Sequence, residues 1–244
     1  MSEVNTKDYL TSTYLEYQKK YLDNIRESDR LLIAEVKELA LNINKKTCSL
    51  IDIGCSTGNF LFHLKKAFPH FDLMGGDAFG EIVENCRRNP LLTGIDFDVV
   101  NIHQTPHDKA FDFVTLNALL HLVETKDLDS VAENLSRILF PKGYLLAFSW
   151  FNPFDQEISL VETSPAHPEG AAINVHSYAT ITEVLEKQGF DHIVFKPFEI
   201  PIDLAGGEDK SSLSSYTRKN SEGKRQLFRG SLYQPWCFLT ARKK

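Results

Sequence analysis

Residues 50–60 read Leu-Ile-Asp-Ile-Gly-Cys-Ser-Thr-Gly-Asn-Phe. This is an apolar strand that closes on an acid, turns between two glycines and runs into an apolar helix. Asp52 ends the strand, Gly54 and Gly58 flank the turn, and Phe60-Leu61-Phe62-His63-Leu64 opens the helix. Glycine in such a turn removes the side chain that would stand between a ligand and the backbone amides at the helix start. The spacing then selects the ligand. A dinucleotide site wants Gly-x-Gly-x-x-Gly, which from Gly54 requires glycine at positions 56 and 59. Those positions hold Ser56 and Asn59. The pattern present is acid-x-Gly-x-small-x-Gly.

Around that turn, apolar strands alternate with amphipathic helices. Strands are predicted at 49–53, 71–76, 95–100, 111–116, 144–149 and 193–198, and helices at 59–68, 80–89, 128–139 and 181–188. This alternation implies an α/β fold, a mostly parallel sheet covered by helices on both faces. Before it lie two N-terminal helices. The first, at about 7–22, carries Tyr9, Tyr14, Tyr17 and Tyr21. The second is capped by Ser28 and continues through Leu32, Val36, Leu39 and Ile43. After it, 214–217 and 225–228 read as hairpin strands around Asn220-Ser221-Glu222-Gly223, followed by a strand at 236–241.

At 244 residues the chain suits one large domain rather than two. Its expected parts are a helical cap (1–45), a core (46–200) and a C-terminal hairpin with the last strand (201–244). No apolar run approaches membrane-spanning length, and no basic-then-apolar leader is evident. Cys48, Cys55, Cys86 and Cys237 lack the paired spacing of zinc or disulfide frameworks, so a reducing cytoplasm is the expected setting. The net charge of −6 is uneven: 210–244 holds nine Lys or Arg against Glu222 alone, about +8, which leaves −14 elsewhere. Such a segment is either a solvated basic hairpin or the mark of an anionic partner.

The turn motif resembles the first motif of class I S-adenosylmethionine (SAM)-dependent methyltransferases, and three further stretches share that resemblance. Asp77 ends the second strand. Phe111-Asp112-Phe113-Val114 with Leu120-His121 is similar to the family's Phe-Asp-x-Val strand and the Leu-His segment after it. Leu139-Phe140-Pro141-Lys142-Gly143-Tyr144-Leu145 is similar to its Leu-x-Pro-Gly-Gly-x-Leu element, with Lys142 in place of the first glycine. The resemblance implies a doubly wound, seven-stranded, mostly parallel sheet with an antiparallel last strand. It also implies SAM as cofactor, held by Asp52, Gly54, Cys55, Gly58, Asp77, Ala78, Phe79, Asn101, Ile102 and Asn117. Asp77 would take the ribose hydroxyls and Phe79 would wall the adenine. Asn101, where the family often has aspartate, would read the adenine amino group. Asp52 would hold the methionyl ammonium, and Asn117 would reach the methionine end.

Methyl transfer from a sulfonium depends mainly on alignment and on exclusion of water. A base matters only when the acceptor must lose a proton. His121, just past the fourth strand, is the candidate base, against the plain alternative of a core histidine; His103, His167 and His176 are weaker candidates. The acceptor would meet Trp150, Phe151 and His176 in the long segment after the fifth strand. Tyr14, Tyr21 and Arg26 would meet it from the N-terminal cap, although simple helix packing explains the tyrosines equally well. No metal is expected, because Asn117 and Trp150-Phe151-Asn152 stand where catechol-type enzymes carry metal-binding acids. Asn152-Pro153-Phe154 is only partly like the Asn-Pro-Pro-aromatic loop of amide methylation, and follows the wrong strand. The function expected is methylation of an oxygen or nitrogen of a small acceptor, anionic if the basic segment takes part. A macromolecular substrate and a SAM-binding module without turnover are the alternatives. The acidic body argues against nucleic acid.

Overall fold

The computed structural model describes residues 18, 20–43, 45–104, 109–164, 167–207 and 214–244. Tyr9, Tyr14 and Tyr17 lie outside the described residues, and with them most of the expected first helix; residues 20–23 are helical.

The strand of the opening motif, β1 (Ser49–Ile53), is buried from Leu50 onward, and its alternating side chains feed two separate cores. Leu50 points into one core, with Leu32 and Val36 of helix α1 (Glu27–Ala40), Leu61 and Leu64 of α2 (Asn59–Ala67), and Ile82, Val83 and Cys86 of α3 (Gly80–Arg88). Ile51 and Ile53 point into the other, with Leu128, Val131 and Leu135 of α4 (Leu128–Arg137) and Ile181 and Leu185 of α5 (Tyr178–Lys187). A strand with period two cannot bury consecutive residues unless both faces are covered. The same division recurs at Phe113 and Val114 in β4 (Phe111–Asn117), and at Leu146 and Leu145 in β5 (Leu139–Asn152).

The remaining strands are β2 (Asp72–Asp77), β3 (Asp96–Val99), β6 (Ile158–Ser164), β7 (His167–Ser177), β8 (Phe190–Pro197), β9 (Ser215–Lys219), β10 (Arg225–Arg229), β11 (Leu232–Tyr233) and β12 (Trp236–Lys243). The sheet runs β3-β2-β1-β4-β5-β12-β8, with the β6–β7 pair attached to β5. Strands β3 to β5 in that order are parallel, whereas β12 is antiparallel to both its neighbours. This is the doubly wound sheet with a reversed last strand that the sequence predicts. Because β12 lies between β5 and β8, the C-terminal strand is built into the sheet, one place in from its edge. Strands β9 to β11 form their own small antiparallel sheet.

One expectation changes. Ser28 does not cap α1; the helix starts two residues earlier than that cap would place it, behind Arg26, which makes no side-chain cap, and Ser28 is buried within the first turn. The long segment after the fifth strand carries two strands, because β6 and β7 pair across it and extend the end of β5 through Phe151↔His176. The basic hairpin is neutralised locally. Lys224 pairs with Glu222 at 2.9 Å, Arg225 with Asp203 at 2.6 Å and Arg229 with Glu162 at 3.3 Å.

Lys142 is also more constrained than a simple surface turn requires, since its φ is 67°. That left-handed conformation suits glycine and strains a residue with a Cβ. Lys142→Gly is therefore expected to stabilise the protein by about 0.5–1 kcal/mol, read as a raised urea midpoint at unchanged m-value.

Candidate functional site

The glycine turn is left-handed at three alternate residues, with φ of 78° at Gly54, 48° at Ser56 and 75° at Gly58. It packs tightly against its own protein. A Cβ on Gly58 would lie 2.6 Å from Leu92 Cδ1, and one on Gly54 would lie 3.2 Å from the Leu119 methyls. Its amides are engaged as well. Gly54 and Cys55 donate to the Gly76 carbonyl at 2.8 and 3.0 Å, Gly58 donates to that of Cys55 at 2.9 Å, and Ser56 donates to Asp77 Oδ2 at 3.0 Å. These bonds engage the amides of Gly54, Cys55, Ser56 and Gly58; the amides of Asn59 and Phe60, which open α2, lie beyond them.

Asp77, at the end of β2, accepts from Ser56 through Oδ2 and from the Phe79 amide at 3.2 Å through Oδ1. Burial pushes its carboxyl above the usual range, against those amide donors. Phe79 stands half-buried at the start of α3, with Ala78 beside it. Asn101 Oδ1 accepts from the amide of His103 at 3.0 Å, which fixes the turn after β3 and turns the carbonyl towards its own backbone. Ile102 is buried in the core, and its carbonyl receives the Asn134 amide at 3.1 Å. Cys55 is buried close to Cys86. The hydrogen bond between their thiols, then burial, raises the Cys55 thiol well above its ordinary value.

The opposite end of the site is acidic. Asp52 is 1% exposed and receives the Thr115 hydroxyl at 2.7 Å through Oδ1. Burial pushes its carboxyl up to about 8, the Thr115 hydrogen bond opposes that rise, and the neighbouring Asp29 and Asp77 add to it. Register places Asp52 opposite Thr115, and Asn117 continues along the same face of β4. Asn117 donates from Nδ2 to Asp29 Oδ1 at 2.7 Å. Asp29 and Thr115 were not singled out from the sequence. The signal for Asp29 is its place on the buried stripe of α1, three residues before Leu32 and seven before Val36.

The segment leading into α1 crosses the start of α2. Asn59 Nδ2 donates to the Gln18 carbonyl at 2.7 Å, and His63 Nε2 donates to that of Tyr21 at 2.7 Å. The Arg26 guanidinium lies 4.0 Å from the Tyr21 ring centre and donates to Gln18 Oε1. Tyr21 and Arg26 thus sit together beside the glycine turn. Tyr14 lies outside the described residues.

Beyond β4 and β5 the candidate acceptor residues form packed structure. His121 is buried, with Nδ1 3.2 Å from Ser149 Oγ and its ring stacked on Trp150 and edge-on to Trp236 at 5.4 Å. Burial, and secondarily the neighbouring His176, lowers its ring to about 3. A general base works best near the operating pH, so the reading of His121 as a base gives way to a neutral ring that packs this corner. His176 is fully buried between Glu157 Oε2 at 2.9 Å and the Leu120 and Val123 carbonyls at 3.3 and 3.1 Å. Both its nitrogens are engaged, so it ties β7 to the turn after β4 instead of meeting an acceptor. Phe151 belongs to the main core. Trp150 is 3% exposed, and its indole N–H has no partner. His103 is half-buried, and burial lowers its ring below the ordinary value.

This arrangement fits SAM. Acids at the ends of β1 and β2 flank the glycine turn, which suits a ligand with hydroxyls and positive charge. Among the described residues, no group of three or more His, Cys, Asp or Glu could hold a metal ion. None of the helices among them is long and apolar enough to cross a membrane.

The family profile described as "Methyltransferase domain" matches residues 22–194, and the chain belongs to that family. It is a class I SAM-dependent methyltransferase, with SAM as its cofactor. A ubiquinone/menaquinone biosynthesis C-methyltransferase of Desulfotalea psychrophila is 24% identical over 169 residues, 61% of this chain and 68% of that protein. A carboxy-S-adenosyl-L-methionine synthase of Campylobacter hominis is 30% identical over 120 residues, 48% of each chain. This chain thus spans about half or two thirds of those curated relatives. Among solved structures, a SAM-dependent methyltransferase of Methanosarcina mazei superposes with a TM-score of 0.58 at 18% identity, covering 84% of this chain and 96% of that one. A SAM-bound amino pentose methyltransferase of Micromonospora echinaspora gives 0.57 at 12% identity, covering 93% and 96%.

Asp52 gives the site a pH signature. In the unfolded chain an aspartate loses its proton near pH 4, whereas folded Asp52 keeps it to about pH 8. Between those values the folded state binds the extra proton. Its contribution is complete below about pH 4 and is lost as pH rises towards 8, at up to about 1.4 kcal/mol per pH unit. Asp52→Asn is expected to flatten this decline when urea unfolding of the ligand-free protein is compared across pH 5–8.

Proposed function

We propose that this protein transfers the methyl group of SAM to an oxygen or nitrogen of a small metabolite. The observation that carries the reading is the pairing of two chemically different ends. Acids for ribose and ammonium close β1 and β2, while β4, β5 and β12 end in a dry aromatic corner. His121, Trp150, Trp236 and Phe148 make that corner, with the last two stacked at 4.6 Å. When bound, SAM supplies an activated methyl on a charged sulfur. The chain's part is to fix the cofactor, align the acceptor and keep out water.

Asp77 holds the ribose, Phe79 and Asn101 flank the adenine, and Asp52 with Asn117 orients the methionyl end. The β6–β7 extension walls the acceptor side, and residues 18–26 cap the cofactor side. With His121 only a weak base, an acceptor that needs no proton removed, such as a carboxylate, fits best. The local neutralisation of Lys224, Arg225 and Arg229 removes the charge argument for an anionic acceptor. Small acceptors fit the relatives' printed activities, which include a malonyl-[acyl-carrier protein] O-methyltransferase of Halalkalibacterium halodurans. Four unpaired, buried cysteines suit the cytoplasm.

The test supplies methyl-labelled SAM to the purified protein with host extract and separates the products by size. Label is expected in small solutes and should be lost with Asp77→Ala, which should also weaken SAM binding about 10- to 100-fold. Label in RNA or protein would replace the substrate class. SAM binding without any label would favour a regulatory module.

A further inference from the structure

Asp29 is a fully buried acid in the first turn of α1 that is only half satisfied. Its Oδ1 accepts from Asn117 Nδ2 at 2.7 Å, and its Oδ2 is buried without a hydrogen-bond partner. An orphaned carboxylate oxygen out of reach of water is costly, and such atoms in native proteins call for an explanation. Tying α1 to β4 does not require a charge, since any small hydrogen-bonding side chain could receive the Asn117 amide.

The groups around Asp29 narrow what would complete it. Arg26 approaches from the start of α1, His63 from α2, Asp52 from β1 and Asn117 from β4. Arg26 is engaged over the Tyr21 ring and with Gln18, and His63 with the Tyr21 carbonyl. Neither cation satisfies Oδ2. Asp52, Thr115 and Asn117 lie on the face of β1 and β4 that α1 covers, at the strand ends beside the glycine turn. The missing group is therefore a compact cation carrying several N–H donors, arriving at the methionine end of the cofactor site.

We propose that Asp29 accepts the α-ammonium of SAM together with Asp52, so that α1 supplies a ligand-binding carboxylate in addition to covering the sheet. The proposal rests on the SAM-binding reading and adds a residue outside the four motifs. Asp29 then senses the amino-acid part of the cofactor specifically. S-adenosylhomocysteine carries that ammonium; 5′-methylthioadenosine has the same adenosine and sulfur without it.

Calorimetric titration of both ligands into the wild-type protein, Asp29→Asn and Asp29→Ser separates the outcomes. The variants are expected to bind S-adenosylhomocysteine about 10- to 100-fold more weakly and 5′-methylthioadenosine unchanged. Equal weakening of both ligands would make Asp29 a structural tie and overturn the proposal, as would unchanged S-adenosylhomocysteine affinity. Failure of both variants to fold where the wild type folds would overturn it on the same ground. If the wild type binds neither ligand, the SAM reading falls and this proposal falls with it.

Discussion

Burial of acidic side chains at the ends of β1 and β2 is the constraint on which this site depends. Asp52 and Asp77 lie where the doubly wound sheet is driest, and Asp29 joins them from α1. Neutral donors hold each of them: a threonine hydroxyl, backbone amides and an asparagine amide. Such donors fix geometry but bring no positive charge, so burial keeps Asp52 protonated up to about pH 8, and a cationic ligand would favour its ionised form. The fold tolerates this because the two cores on either side of the sheet are extensive and apolar.

The other end shows the opposite strategy. Around His121, Trp150, Trp236 and Phe148 the surface is aromatic, and the one titratable ring is kept neutral by its surroundings. The β6–β7 pair builds this wall as an extension of β5, with Trp150, Ile173 and Val175 forming a small core of their own. An acidic end and an uncharged aromatic end thus lie along the same strand termini. The separation runs across the sheet, with the acids on β1 and β2 and the aromatic rings on β5 and β12.

The parallel sheet and the glycine turn were legible because each has a local cause, buried apolar runs and special backbone angles; the reversal of the last strand followed from the family resemblance. Asp52, Asp77 and Asn117 were legible because they end predicted strands. Asp29 was hidden because capping chemistry points to Ser28, and cap preference is a local rule that tertiary burial overrides. The β6–β7 pair was missed because 153–180 mixes Pro, Gly and polar residues. Its strands form by adding to the edge of β5, a cause that no window of sequence contains. His121 and His176 read as chemistry from their position, whereas their roles follow from burial, which only the packed chain reveals.

The occupied amides of the glycine turn also bear on competition inside a cell. Adenosine is carried by many abundant compounds, most of them through phosphate chains. A phosphate brought to this turn finds the amides of Gly54, Cys55, Ser56 and Gly58 already bonded within the protein, and the acid Asp77 beside them. Fewer free donors and an acidic neighbour both weigh against a phosphate chain there.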